Sequence, residues 1–277
     1  MKFHFTKFKC MKIFIILMIC FKIKSIKSIK SIESIESTKN KILHKLLNIP
    51  LNIMEKIPYK VTNHVNADII ICPSGRYGAY QLGICHYIKN NFDIKHKKIL
   101  GFSAGSLNAI FLSIHKEHNN DCLKHFFKIK SKKIPVLLKK SLHVIESYNI
   151  NEYDIKNVYI GVSTINGLVI HNNFITIQDI ARCCIASSFV PYLTHNDIFC
   201  FYKNKLSLDG GIYHKQYLKT ISNESCLIIK FTMFGRYKNT NMLNEVLKKN
   251  KPNTYDLYLS GYHDAKINHA YFEKFLL

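Results

Sequence analysis

Residues 97–105 read Lys97-Lys98-Ile99-Leu100-Gly101-Phe102-Ser103-Ala104-Gly105. It contains the pattern Gly-x-Ser-x-Gly, preceded by a short apolar run that predicts a strand. Apolar residues follow at helical spacing: Leu107, Ile110, Phe111 and Ile114. A strand, a sharp turn and a helix form the context in which this pattern exposes a nucleophilic serine, and the helix N-terminus favours an oxyanion nearby. A serine that only caps the helix is the alternative interpretation.

A second glycine turn, Leu208-Asp209-Gly210-Gly211, lies further along the chain. A serine hydroxyl needs a base before it can attack an ester carbonyl, and Asp209 offers a carboxylate for that task. The pairing of Ser103 with Asp209 therefore predicts an acyl hydrolase.

A third block precedes both of these motifs. Ala67 to Cys72 reads as a buried strand and is followed by Pro73-Ser74-Gly75-Arg76-Tyr77-Gly78 and an apolar helix. Acyl transfer requires N–H donors aimed at the developing oxyanion, and a glycine-containing turn can present them from Ser74, Gly75 and Arg76. An ordinary loop that uses glycine for its positive φ is the alternative. A phosphate-binding turn is disfavoured because the Gly-Lys-Ser/Thr ending is missing.

In their order along the chain and in their residues, these blocks resemble the motifs of the patatin-like phospholipase family. The resemblance covers about residues 67–230, and its four blocks are Pro73 to Gly83, Gly101 to Ala109, Ala186 to Pro191 and Leu208 to Gly211. The glycines that carry the motifs are Gly78, Gly101, Gly105, Gly210 and Gly211. One departure is that Pro73 and Ser74 replace two glycines of the family's usual turn. Because proline has no N–H, the oxyanion hole would rely on fewer or different amides.

The resemblance implies a lipid acyl hydrolase of the phospholipase A or lipase type, with Ser103 as nucleophile and Asp209 as base. It implies a dyad without histidine, no metal and no cofactor. Its substrates would be acyl esters at a membrane or lipid-droplet surface. Asp209 should have a raised pKa, since a carboxylate is otherwise a weak base.

Two other functions remain open. An α/β-hydrolase esterase would have the order Ser, Asp, His, which His214, His263 or His269 would complete. A catalytically inactive membrane-binding relative is the other alternative, supported by the departure at Pro73 and Ser74.

The alternation of strands and helices predicts an α/β fold, a three-layer sandwich with a mainly parallel central sheet. Further strands are predicted at Val158 to Thr164, Leu168 to Ile170, Phe174 to Ile177 and Ser225 to Phe234, and a helix at Gln178 to Ile185. We expect a catalytic domain over residues 67–230, closed by a helical segment over residues 231–277.

The N-terminal region has a different composition. Residues 1–24 contain nine uncharged, mostly apolar residues from Ile13 to Phe21, too few to span a bilayer as a helix. They fit a secretory signal or an interfacial anchor. Residues 25–66 begin with a Ser-Ile-Lys/Glu tripeptide repeat and predict a basic low-complexity linker with a short helix.

The chain is strongly basic, with a net charge of +22, of which residues 1–60 contribute +10 from 13 lysines and three glutamates. This charge favours an anionic membrane surface, although a lysine-rich surface kept for solubility is an alternative. No nucleic-acid-binding motif accompanies it. The nine cysteines include no Cys-x-x-Cys pair, so a zinc site is not supported, and their odd number does not fit a disulfide framework. The thiols are therefore expected to be reduced, which favours a reducing compartment. We therefore expect membrane association, with a cytoplasmic or secretory location and the oligomeric state left open.

Overall fold

A computed structural model describes residues 60–277, apart from 129–130, 132, 192, 196, 198, 222–225 and 241–251. The signal-like or anchor segment and most of the predicted linker lie outside the described residues.

The described part of the chain contains eight strands. They are β1 (Lys60–Thr62), β2 (Ile69–Ile71), β3 (Ile99–Phe102), β4 (Val158–Thr164), β5 (Gly167–His171), β6 (Cys200–Tyr202), β7 (Lys205–Leu208) and β8 (Leu227–Ile229). Six of them form a continuous sheet in the order β1-β5-β4-β3-β2-β8, and the β6–β7 hairpin joins it where β7 pairs with β4. The pairs along β8-β2-β3-β4 are parallel, as is β1 with β5, whereas β4 runs antiparallel to β5 and β7.

Eight α-helices lie in the described residues. They are α1 (Gly78–Asn91), α2 (Ala104–Ser113), α3 (Asn119–Phe127), α4 (Ile134–Glu146), α5 (Ile177–Ser187), α6 (His214–Leu218), α7 (Thr254–Ile267) and α8 (His269–Leu276). Two short 3-10 turns matter for the site: Gly75–Tyr77 before α1 and Gly210–Ile212 before α6.

Both faces of the sheet are covered. Ile69 and Ile71 of β2 belong to a large apolar cluster with α1, α2, α5, α7 and α8, whereas Ile70 packs into a second cluster with Tyr217 of α6. Successive side chains of a strand point to opposite faces, so the two clusters lie on opposite sides of the sheet. The architecture is α/β with a mixed, mostly parallel central sheet and is compatible with a three-layer sandwich.

Most of the expected elements are present, with shifted bounds. The helix expected at Gln178 to Ile185 is α5. The strand expected at Phe174 to Ile177 is wrong: Ile177 begins α5, because the Thr176 side chain caps the helix by accepting a hydrogen bond from Asp179 N at 3.1 Å. The strand expected over Ser225 to Phe234 is confined, within the described residues, to β8 and is followed by turns.

The sheet begins before the expected start of the core at Ala67. β1 lies inside the segment interpreted as a linker, yet it pairs in parallel with β5 through Lys60, Val61 and Thr62. None of the helices in the described residues is long and apolar enough to cross a membrane.

Candidate active site

Ser103 occupies a strained turn between β3 and α2. Its φ is 53° and its ψ is −129°, in a region that residues with a side chain rarely adopt. A Cβ atom on Gly101 would clash with the backbone of Gly105, and one on Gly105 would clash with the carbonyl oxygen of Ile71. The two glycines of the motif therefore allow the sharp turn and its close approach to β2.

The structure brings Ser103 and Asp209 together. The Ser103 hydroxyl donates a hydrogen bond to Asp209 Oδ2 at 2.7 Å, and Asp209 Oδ1 accepts one from Gly211 N at 2.7 Å. Both carboxylate oxygens are therefore engaged, one by the candidate nucleophile and the other by the turn that follows.

Sheet register explains why Asp209 lies beside Ser103. Phe102, the last residue of β3, is paired with Gly161 of β4, and Leu208, the last residue of β7, is paired with Ser163 of the same strand. Because β5 pairs with the other edge of β4, β3 and β7 lie one after the other along the same edge of β4, and their last residues meet there. Gly210 allows this approach, since a Cβ there would clash with the carbonyl oxygen of Gly161.

Burial changes the acidity of Asp209. Removal of its carboxyl group from water raises the pKa to about 6, against the opposing effect of the hydrogen bonds from Ser103 and Gly211. The expectation of a raised pKa at Asp209 agrees with this environment. A carboxylate with such a pKa is a better proton acceptor near neutral pH than an ordinary aspartate.

Ser187 is a site residue that the sequence analysis did not single out. Its hydroxyl accepts a hydrogen bond from Ser103 N at 2.9 Å and donates one to Gly161 O at 2.8 Å. It thus connects the strained turn to β4. Ser187 lies in the block from Ala186 to Pro191 that resembles the family, but only the fold shows that it contacts the backbone of Ser103.

Two of the three residues predicted to form the oxyanion hole lie beside the same cavity as Ser103. Gly75, with φ of +52°, and Arg76 border the same cavity as Ser103. Ser74 is fully buried, and its hydroxyl donates to Gln81 Oε1 at 2.6 Å, while the Gln81 amide donates to the carbonyl oxygens of Cys72 and Ile229. Ser74 therefore braces the turn against β2 and β8.

The departure at Pro73 has a packing role. Pro73 is buried, and a Cβ on Gly211 would lie 3.0 Å from its ring carbon Cγ. The proline thus fills the space beside the turn that carries Asp209. Gly78 is equally constrained, because a Cβ there would approach that of Ala104 to 3.1 Å.

Within the described residues, none of the three histidines considered for a triad forms a hydrogen bond or ion pair with Ser103 or Asp209. His214 Nδ1 contacts Gly211 O at 2.6 Å, and burial lowers its pKa. His269 contacts Tyr87 and Glu273, and His263 is largely exposed beside Asp264. In a triad an imidazole separates the serine from the carboxylate. Here Ser103 contacts Asp209 directly.

A cavity of about 150 Å³ opens beside Ser103, Gly75 and Arg76. Its walls are mainly apolar side chains of α2, α3 and α4. The residues whose helical spacing predicted α2 all border it: Leu107, Ile110, Phe111 and Ile114. The same apolar face that defines the helix thus faces the candidate site.

Among the described residues, no group of three or more His, Cys, Asp or Glu side chains is arranged to hold a metal ion. The seven cysteines in this part of the chain are all free thiols.

Comparison with known proteins adds no assignment to this geometry. A scan against protein-family models finds no match, and a search of curated proteins finds no relative.

Proposed function

We propose that the protein is a serine acyl hydrolase that cleaves fatty-acyl esters, with Ser103 as nucleophile and Asp209 as proton acceptor. The observation that carries the proposal is the 2.7 Å hydrogen bond from the Ser103 hydroxyl to Asp209, made at a strained strand-to-helix turn. A strained backbone persists where the surrounding structure enforces it, and such positions cluster at active sites.

The first half of the reaction forms an acyl-enzyme. Asp209 accepts the Ser103 proton as Oγ bonds to the ester carbonyl carbon, and the carbonyl oxygen becomes an oxyanion. Amides of the turn at Gly75 and Arg76 would stabilise that charge. The carbon–oxygen bond to the alcohol then breaks, and Asp209 returns the proton to the departing alkoxide.

The second half regenerates the serine. Water gives a proton to Asp209 and attacks the acyl carbon, and collapse of the second tetrahedral intermediate breaks the bond to Ser103 Oγ. The proton on Asp209 returns to Oγ, and a carboxylic acid leaves. No histidine takes part in either half.

The substrate class follows from the surroundings of Ser103. The apolar cavity beside it suits a hydrocarbon chain. The net charge of +22 favours lipids at an anionic membrane or droplet surface. Together with the motif resemblance, these features support a patatin-like phospholipase or lipase built on a three-layer sandwich.

The test is an esterase assay on the purified protein with p-nitrophenyl butanoate. We expect hydrolysis that Ser103→Ala and Asp209→Asn each reduce by about 10³-fold or more, while His214→Ala, His263→Ala and His269→Ala each keep most of the activity. A histidine variant as damaging as Ser103→Ala would favour the triad. Absence of hydrolysis in the folded wild-type protein would favour the inactive relative.

A further inference from the structure

The cavity beside Ser103 is long in one direction. Ser103 and Ile114, which lie eleven positions apart at the two ends of α2, both border it. Ile134 and Ile145, also eleven positions apart on α4, border it as well. At 1.5 Å per residue, each pair spans about 16 Å along its helix.

The end of the cavity far from Ser103 is a fixed wall. Ile114 and Tyr153 form an antiparallel bridge, flanked by hydrogen bonds from His115 N to Glu152 O at 2.8 Å and from Asp154 N to Ser113 O at 2.7 Å. The Tyr153 hydroxyl donates to Ile145 O at 2.8 Å, which ties α4 to the same wall.

A buried lysine of α1 also stabilises this wall through hydrogen bonds to the backbone. Lys89 Nζ donates hydrogen bonds to the carbonyl oxygens of Phe111, at 2.7 Å, and Ile114, at 2.5 Å. The C-terminus of α2 is therefore held by the Lys89 side chain and by backbone pairing, and a long substrate chain could not displace it without breaking several hydrogen bonds.

Length and volume together limit the chain that fits. An extended chain advances about 1.2 Å per bond, so a span of about 16 Å admits roughly 13 bonds. The volume of about 150 Å³ is the smaller limit. An apolar cavity of about that volume takes up one benzene molecule, that is, about six carbons. A chain of more than about six carbons therefore fits only if side chains that line the cavity move slightly, since protein interiors are close-packed.

We propose that this cavity selects the acyl group of the substrate and that the enzyme prefers medium-length chains, between about six and 12 carbons, over the long chains of common membrane lipids. Ile145, which borders the cavity next to the wall at Tyr153, is the specificity-determining residue. The proposal rests on the proposed hydrolase function and adds a chain-length limit to it.

The wild-type test is a series of p-nitrophenyl esters from butanoyl to hexadecanoyl, measured in one fixed solvent mixture. We expect kcat/KM to peak between the hexanoyl and dodecanoyl esters and to fall by about tenfold or more at hexadecanoyl. A hexadecanoyl value within about threefold of the maximum would overturn the proposal.

Variants of Ile145 test the wall itself. Ile145→Ala should raise the ratio of tetradecanoyl to octanoyl hydrolysis by about fivefold, and Ile145→Phe should lower dodecanoyl relative to butanoyl hydrolysis by a similar factor. Ile145→Val retains most of the packing and should shift the profile in the direction of Ile145→Ala. An unchanged profile in Ile145→Phe and Ile145→Val would refute the role of this residue.

Ile88→Ala is the matched control. Ile88 is a fully buried isoleucine of α1 that does not border the cavity, so its truncation should leave the profile unchanged. The assay also separates the chain-length limit from the proposed function. If kcat/KM does not vary with chain length but still depends on Ser103, only the chain-length limit is wrong. If the wild-type protein shows no hydrolysis that depends on Ser103, both are wrong.

Discussion

Ser103, the proposed nucleophile, has a backbone conformation that favours glycine. The strain at a non-glycine residue with positive φ costs about 1–3 kcal/mol, and it persists here because β3, β2 and Ser187 fix the turn. At this residue, function and stability are therefore opposed.

Comparison of Ser103→Gly with Ser103→Ala tests this opposition. Both variants lose the hydroxyl, but only glycine relieves the strain, so Ser103→Gly should have the higher free energy of unfolding by about 1 kcal/mol after the entropy cost of glycine is subtracted. Urea denaturation measures the difference. As a control within an ordinary helix, Ala109→Gly should lower the free energy of unfolding by about 1 kcal/mol. A Ser103→Gly variant less stable than Ser103→Ala by about 1 kcal/mol, as expected at Ala109, would mean that the turn is unstrained.

Asp209 predicts a specific pH dependence. Its folded pKa of about 6 lies above the unfolded value, so its contribution to stability is intact below about pH 4 and is lost as pH rises through 6. Asp209→Asn should therefore match wild type in acid and be more stable by about 1–3 kcal/mol at pH 8. Denaturation at both pH values measures this difference.

Activity should change with pH in the opposite direction to stability. Since catalysis needs the ionised carboxylate, kcat/KM of the wild type should rise with pH and level off above about 6, without a further dependence on a histidine. A stability gain of Asp209→Asn that is equal at pH 4 and pH 8 would contradict the raised pKa.

Ser187 acts through the backbone of Ser103. Ser187→Ala removes the acceptor for Ser103 N and the donor to Gly161 O, so the turn should be less well held while the acyl cavity is unchanged. We expect kcat to fall by about 10- to 100-fold with KM within about twofold, and Ser187→Thr to recover part of the loss. A change confined to KM, measured by steady-state kinetics, would argue against a positioning role.

At the scale of elements, α1 and α7 are packed unusually closely. A Cβ on Gly83 would clash with the backbone of Tyr258, and one on Gly261 with the carbonyl oxygen of Tyr80. Next to this contact, Asp264 of α7 accepts hydrogen bonds from the Tyr80 hydroxyl and from the Arg236 guanidinium. Since α1 follows the turn at Gly75 directly, α7 supports one side of the candidate site.

Gly261→Ala tests this support. The added methyl group must push the two helices apart, and we expect a loss of about 1–3 kcal/mol in the free energy of unfolding. Thermal denaturation of the variant measures it. The control is Leu259→Ala, at an exposed position of the same helix, which should stay within about 0.5 kcal/mol of wild type. Similar stability of both variants would contradict the close contact.

Local sequence patterns predict the consecutive elements of the site, but not the pairing of strands that are distant in the sequence. β3, the turn at Ser103 and α2 are consecutive, so local pattern predicts them. Asp209 reaches Ser103 through the β6–β7 hairpin, whose pairing with β4 is non-local and was not predicted. Phe174 to Ile177 has β-branched residues suited to a strand, but the cap at Thr176 overrides that preference.

Across the whole molecule, the proposed contact with a lipid surface depends on positive charge. Positive charge is distributed along the chain, with +10 of the +22 in residues 1–60. Each lysine close to an anionic surface adds about 1 kcal/mol to binding, and salt weakens that attraction.

Deletion of residues 1–57 leaves β1 intact and removes most of the N-terminal lysines. We expect weaker co-sedimentation with anionic vesicles, a smaller salt dependence of that binding, and hydrolysis of p-nitrophenyl butanoate within about twofold of the full chain. Neutral vesicles serve as the control. Unchanged binding to anionic vesicles after deletion would mean that residues 58–277 bind the vesicles without the N-terminal lysines.

In the proposed function, Ser103 is the nucleophile of an acyl hydrolase and Asp209 activates it. Reaction of the full chain with a fluorophosphonate, followed by mass spectrometry of its peptides, tests this assignment. We expect a single covalent adduct on Ser103, formed in wild type and in His214→Ala, and strongly slowed in Asp209→Asn. An adduct on another serine, or none on Ser103 in the folded protein, would contradict it.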